Sequence, residues 1–192
     1  MGRIVVSENV TLDGVIEDPV GDEGQSFGGW FDPATAPDAA AWAQAETEEA
    51  LEAAAMLLGR RTYDAFAARW PARQGAWADR LNSMPKYVLS STLTDPRWNN
   101  TTVLKDGPSE AAAHLKREID GDVVVYGSGR LVRPLMEDDL VDELRLILHP
   151  VVAGSGWRLF GATAGSRQWS RVSTRTVGDG LTQVVYRPVR DA

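Results

Sequence analysis

Three stretches place small or polar residues where an apolar run stops: Leu58-Gly59-Arg60-Arg61-Thr62, Leu89-Ser90-Ser91-Thr92 and Tyr126-Gly127-Ser128-Gly129-Arg130. If each run is a strand and a helix follows, the turn offers backbone N–H groups and a positive dipole end, which suit a phosphate. Arg60 and Arg61 add guanidinium forks shaped for a phosphate monoester. Together these predict a phosphorylated nucleotide ligand, a dinucleotide among the candidates. A plainer reading stands beside it, in which Gly59 simply ends a strand and Arg60-Arg61 is a solvated helix start. Gly127-x-Gly129 is an incomplete dinucleotide fingerprint, because Val132 stands where a third glycine would fall. A standard Rossmann turn would also follow the first strand, and the P-loop pattern is absent.

Other chemistry is sparse. Cysteine is absent, so there is no disulfide, thiol nucleophile or Cys-ligated zinc. His114 and His149 lack the spacing of a metal motif, and no metal is expected. His149-Pro150 reads as a structural pair and His114 as an exposed helix residue. Trp30, Trp42, Trp70 and Trp157 could floor a flat heteroaromatic site, although core or lid packing is the ordinary use of Trp.

The elements that must position these residues alternate between strand and helix. Apolar runs at Arg3–Asn9, Ala55–Leu58, Lys86–Ser90, Thr101–Leu104 and Asp122–Tyr126 predict strands. Helical spacing covers residues 37–54, Thr62–Trp70, Ser109–Ile119 and Leu131–Met136, with Glu46, Glu48, Glu49 and Glu52 assigned to a solvated face. Residues 17–37, rich in Gly, Pro and Asp, form a long loop of the kind that is usually functional or disordered. Long strands at Glu143–Val152, Ser166–Val177 and Leu181–Val189 end the chain and predict antiparallel pairing appended to a parallel core. At 192 residues, 43% hydrophobic and 24% charged, the composition is that of one α/β domain spanning residues 1–192. A net charge of -7 argues against nucleic acid as a partner. No apolar run approaches the roughly 20 residues of a membrane span, and the first apolar segment is too short for a signal peptide, so a cytoplasmic location is expected.

The order of strand–TLDG, LLGRRTYDAF, YVLSS, VVVYGSGRLVRPLM and DELRLILHPVVAGSGWRLF, over about residues 3–188, resembles the dihydrofolate-reductase-like fold. Within it the chain is most similar to the reductase domain at the C-terminal end of the bifunctional riboflavin-biosynthesis deaminase/reductase. The resemblance implies a three-layer α/β/α sandwich with a mixed, mostly parallel sheet and antiparallel C-terminal strands. It implies NADPH, with Gly59, Arg60, Arg61 and Thr62 at the 2′-phosphate and pyrophosphate. Ser90 and Ser91 would lie on the adenosine side; Gly127, Ser128, Gly129, Arg130 and Leu131 would run along the pyrophosphate and nicotinamide ribose. Val6 and Ser7 would line the nicotinamide pocket, and residues 21–30 would take the place of a substrate lid. Thr11-Leu12-Asp13-Gly14 matches a family Ser-Leu-Asp-Gly segment with Thr for Ser. Asp13 is therefore the candidate to polarise or protonate substrate, with Thr11 and Trp30 as substrate neighbours; a bare Asp-Gly turn is the equal alternative. Asp38, at the start of the helix after the lid, is a second possible acid. The implied activity is reduction of a small pyrimidine- or pterin-like substrate, as in 5-amino-6-(5-phosphoribosylamino)uracil reductase. A reductase of another small molecule such as a folate, or a non-catalytic NADPH-binding domain, are the alternatives. A zinc-deaminase half, which needs Cys ligands this sequence lacks, is not expected, and a homodimer is expected by analogy.

Overall fold

The computed structural model describes residues 1–22, 24–161 and 166–190. The strands are β1 Arg3–Thr11, β2 Ala55–Gly59, β3 Lys86–Leu89, β4 Thr101–Leu104, β5 Asp122–Tyr126, β6 Glu143–His149, β7 Trp169–Val177 and β8 Leu181–Pro188. The helices are α1 Ala39–Glu52, α2 Arg60–Arg69, α3 Ala76–Ser83, α4 Pro108–Glu118 and α5 Gly129–Glu137. In hydrogen-bonding order the sheet reads β4-β3-β2-β5-β1-β6-β8-β7. Its β4-β3-β2-β5 portion is parallel and its β6-β8-β7 portion antiparallel, so the mixed sheet expected from the sequence is present. The chain packs as two compact units, each discontinuous in sequence: Met1–Val6 with Glu46–Asp142, and Ser7–Ala45 with Glu143–Ala192.

In the first unit the central parallel strands β2 and β5 are buried on both faces, which is why they read as apolar runs. Met56, Leu58, Val88, Val124 and Tyr126 pack with Tyr63, Trp70, Leu81 and Trp98 in one core cluster. Lys86 is wholly buried beside it. Its Nζ donates to the carbonyls of Asn82, Met84 and Asn99 at 3.0, 2.8 and 3.1 Å and sits 4.5 Å above the Trp98 ring. Those three bonds use all the ammonium's donors and explain how a lysine survives there. The start of β1 is pinned by Asp142, whose Oδ2 accepts from Ile4 N at 2.8 Å and meets Lys116 Nζ at 2.6 Å.

In the second unit β7 and β8 form a hairpin with a bulge between Arg171 and Ser173, and β8 pairs antiparallel with β6, Leu146 opposite Val184. Its core joins Phe31, Ala45, Ile147, Val177 and Leu181. Asp38 holds the β7–β8 turn: its Oδ1 accepts from Asp179 N at 2.7 Å and its Oδ2 from Gly180 N at 3.1 Å.

Several sequence expectations are revised. Glu46 and Glu49 are buried, at 6% exposure each, because their i, i+3 spacing puts them beside Ala45, Ala50 and Ala53. The strand expected over 143–152 stops at His149, where Pro150 has no N–H to donate. Helix α3 was not anticipated; its buried Ala78 and Leu81 at i, i+3 were the available signal. Among the described residues no helix is long and apolar enough to cross a membrane.

Candidate functional site

The first unit brings the glycine turns together. Strand β2 ends at Gly59, and α2 starts at Arg60 with no side-chain cap; strand β5 ends at Tyr126, and α5 starts at Gly129, again uncapped by a side chain. Both helix starts therefore keep first-turn N–H groups that no capping side chain satisfies. The connection after β5 needs two consecutive left-handed residues, Gly127 at φ 55° and Ser128 at φ 61°. Glycine takes this conformation without strain, whereas serine there costs about 1 kcal/mol. Ser128 offsets that cost by joining the two strand ends. Its Oγ accepts from Gly59 N at 3.0 Å and donates to Tyr126 O at 3.1 Å, while its own N–H donates to Thr62 Oγ1 at 3.1 Å. Thr62 and Ser128 are thus struts of the cradle, and the Ser128 hydroxyl proton is committed to Tyr126 O.

Arg60 lies at the lip of this cradle. Its Nε donates to both oxygens of Asp64 at 2.9 and 2.8 Å, and its Nη1 to Thr92 Oγ1 at 3.2 Å. Ser90 shapes the adjoining turn by accepting from Thr92 N at 3.3 Å and Leu93 N at 3.1 Å. Ser91 and Arg61 are exposed, as is Arg130 on α5; Leu131 is buried beneath. Val6 is completely enclosed and Ser7 nearly so, and β1 presents almost no side-chain surface at these two positions.

The second unit holds the candidate acid, in a setting that favours the turn reading. Asp13 Oδ1 accepts from Thr11 Oγ1 at 2.7 Å and from Ala153 N at 3.0 Å. Its Oδ2 accepts from Gly154 N at 2.9 Å and meets Arg158 Nη2 at 3.2 Å. The Thr11 hydroxyl, then the backbone N–H groups of Ala153 and Gly154, lower its pKa to about 2. A carboxylate so held accepts hydrogen bonds and has no proton to give near neutral pH. Thr11 Oγ1 also accepts from Val15 N at 2.9 Å. The TLDG segment is, in this geometry, a clamp between the end of β1 and the 150s loop. Asp38 is likewise spent on a turn.

Trp30 is half-buried, donating from Nε1 to Glu17 O at 3.2 Å and meeting the His149 ring edge-on at 5.1 Å. Sequence reasoning missed the polar centre of this unit. Asn9 Oδ1 accepts from Trp42 Nε1 at 2.8 Å and faces His149 Nε2 at 2.9 Å. Burial lowers the His149 pKa to about 4, with Asp38 pulling weakly the other way. The imidazole is thus neutral and donates from Nε2, since the Asn9 oxygen can only accept. Asn9 gave no signal because its partner lies 140 residues away.

A mixed sheet with a parallel body, an antiparallel end and late glycine turns at two helix starts defines a dihydrofolate-reductase-like α/β protein. The chain belongs to the RibD C-terminal domain family, which it matches over residues 3–183 and so across both units. The uncharacterized protein YyaP of Bacillus subtilis (strain 168) is 30% identical over 189 residues, covering 96% of this chain and 94% of YyaP. A crystal structure attributed to riboflavin biosynthesis in Shewanella sp. PV-4 superposes with a TM-score of 0.72 at 22% identity, covering 98% of this chain and 99% of that one. Dihydrofolate reductase from Enterococcus faecalis, complexed with NADP(H), gives 0.61 at 14% identity, covering 98% and 97%.

Proposed function

We propose that this protein is an NADPH-dependent reductase that delivers a hydride to a C=N or C=O carbon of a small pyrimidine- or pterin-like substrate. The observation that carries this reading is the pair of strand ends joined through Ser128, with Arg60 held at the lip beside two helix starts. Gly59, Arg60, Arg61 and Thr62 would hold the 2′-phosphate and pyrophosphate, with Ser90 and Ser91 on the adenosine side. Gly127, Ser128, Gly129, Arg130 and Leu131 would follow the pyrophosphate towards the nicotinamide ribose, chiefly through backbone. The cofactor, when bound, supplies the hydride, and the fold supplies orientation. On this reading Asp13, held as an anion by Thr11 and the 150s loop, fixes that loop, and the proton that completes the reduction comes from another donor. Within the family, reduction of a ribosylamino to a ribitylamino group on a uracil is the reaction of first choice.

A second reading, a binding module that holds NADPH without turnover, is favoured by one observation. Both carboxylates nominated from the sequence, Asp13 and Asp38, have their oxygens taken by backbone N–H groups. The two readings share a first test. Titration of NADPH and NADH, followed by tryptophan fluorescence and by calorimetry, should give NADPH binding about tenfold tighter or more, and Arg60→Ala should erase that preference. If neither nucleotide binds, both readings are overturned. Turnover of pyrimidine or pterin substrates then separates reductase from binding module. The homodimer expected by resemblance is a proposal of its own, and light scattering in solution decides it.

A further inference from the structure

We propose that Asp64 and Thr92 are positioning residues that aim Arg60 and thereby set the preference for a 2′-phosphorylated nucleotide. The inference rests on the cofactor reading above and adds two residues to which the sequence assigned no role. Arg60 stands at the first position of α2, and Asp64 one turn further along the same face. The carboxylate receives Nε with both of its oxygens, at 2.9 and 2.8 Å, and so grips the side edge of the guanidinium. Thr92 takes Nη1 from across the gap, out of the turn that follows β3. Thr92 is itself fixed, because its N–H donates to Ser90 Oγ and the two hydroxyls lie 3.5 Å apart. With Nε and one Nη1 hydrogen committed, the guanidinium keeps both Nη2 hydrogens and one on Nη1 as donors for a phosphate.

Asp64 is also an anion near the place proposed for a phosphate, so its removal has two opposing consequences. It loosens the fork, and it removes a repulsion. The side chains of Arg60 and Asp64 are 41% and 53% exposed, so water and salt screen the repulsion strongly. The directional constraint is not screened, and positioning therefore dominates. A free arginine must also lose its rotamer freedom when it meets a phosphate, and an arginine already held by two struts loses less.

The experiment is calorimetric binding of adenosine 2′,5′-bisphosphate and of 5′-AMP to the full chain. The quantity read is the ratio of the two dissociation constants, which a merely structural role would leave unmoved. In the parent protein the bisphosphate should bind about tenfold tighter or more. If it does not, the cofactor reading fails, independently of anything said of Asp64. If it does, Asp64→Ala should lower the ratio about threefold with 5′-AMP binding unchanged, and Thr92→Val about twofold. Asp64→Glu, whose longer arm still reaches the guanidinium from the next turn, should recover most of the loss. A ratio in Asp64→Ala that stays the same or rises means that repulsion outweighs positioning, and overturns the inference.

Discussion

At the scale of single residues, two groups carry charge states that the fold dictates. Asp13 is held as an anion by a hydroxyl, two backbone N–H groups and a guanidinium, and its folded pKa lies below the unfolded value. Its contribution is complete at neutral pH and is lost as pH falls from about 4 towards 2. Asp13→Asn would present an amide N–H₂ to donors, so the melting temperature should drop while NADPH affinity, if the proposed cofactor site is right, is unchanged. Equal melting with lost turnover would instead return Asp13 to the chemistry. His149 works in the opposite sense. Above its ordinary value of 6.5 the imidazole is neutral in both folded and unfolded chains, and pH has no effect through it. Below 6.5 the unfolded chain takes up a proton that the folded chain refuses until about pH 4. Stability should therefore fall by about 3 kcal/mol across that window, at about 1.4 kcal/mol per pH unit. His149→Gln keeps an N–H for Asn9 and removes the titration. Urea unfolding of this variant should be flat over the same range, and an unchanged slope would assign the pH dependence to another group.

At the scale of elements, the cradle is a contract between two strand ends. Ser128→Ala leaves Gly59 N without its acceptor and keeps the left-handed strain, and should cost about 1–2 kcal/mol of stability. Ser128→Gly loses the same bond but relieves the strain, so it should be about 1 kcal/mol more stable than the alanine variant in denaturant melts. The reverse order would mean that the hydroxyl, not the backbone conformation, decides the site. Lys86 gives a second case. Lys86→Met removes the ammonium that donates to the carbonyls of Asn82, Met84 and Asn99 and should destabilise by about 2–4 kcal/mol, checked by the same melts. The glycine turns were legible before the structure because chain conformation confines them to few residue types. The buried faces of α1 and β3 were not: Glu46 and Glu49 read as solvated in sequence, nothing in it marks Lys86 as buried, and tertiary packing encloses all three.

At the scale of the whole molecule, the order of strands and helices was legible because buried parallel strands leave unbroken apolar runs and an antiparallel end leaves longer ones. The clamps were not, since Thr11–Asp13 with Ala153–Gly154, Asn9 with His149, and Asp38 with Asp179–Gly180 all join residues about 140 positions apart. The same long-range closure governs how the first unit can fold. It is assembled from Met1–Val6 and Glu46–Asp142, and its short first segment is tied in at several points. Gly2 N donates to Lys116 O at 2.9 Å, Arg3 N to Gly121 O at 3.0 Å, and Arg3 pairs with Asp122 at 2.6 Å. Ile4 N reaches Asp142, while Ile4 and Val5 are fully buried. A fragment of residues 46–142 lacks all of these. It would leave β5, buried at every position, as a bare sheet edge, and Asp142 without the Ile4 N–H. That fragment should show no sigmoidal urea transition by circular dichroism, although helical signal from α2 and α4 can persist. A sigmoidal transition would mean that the parallel strands carry their own cooperativity and that the first six residues only decorate them.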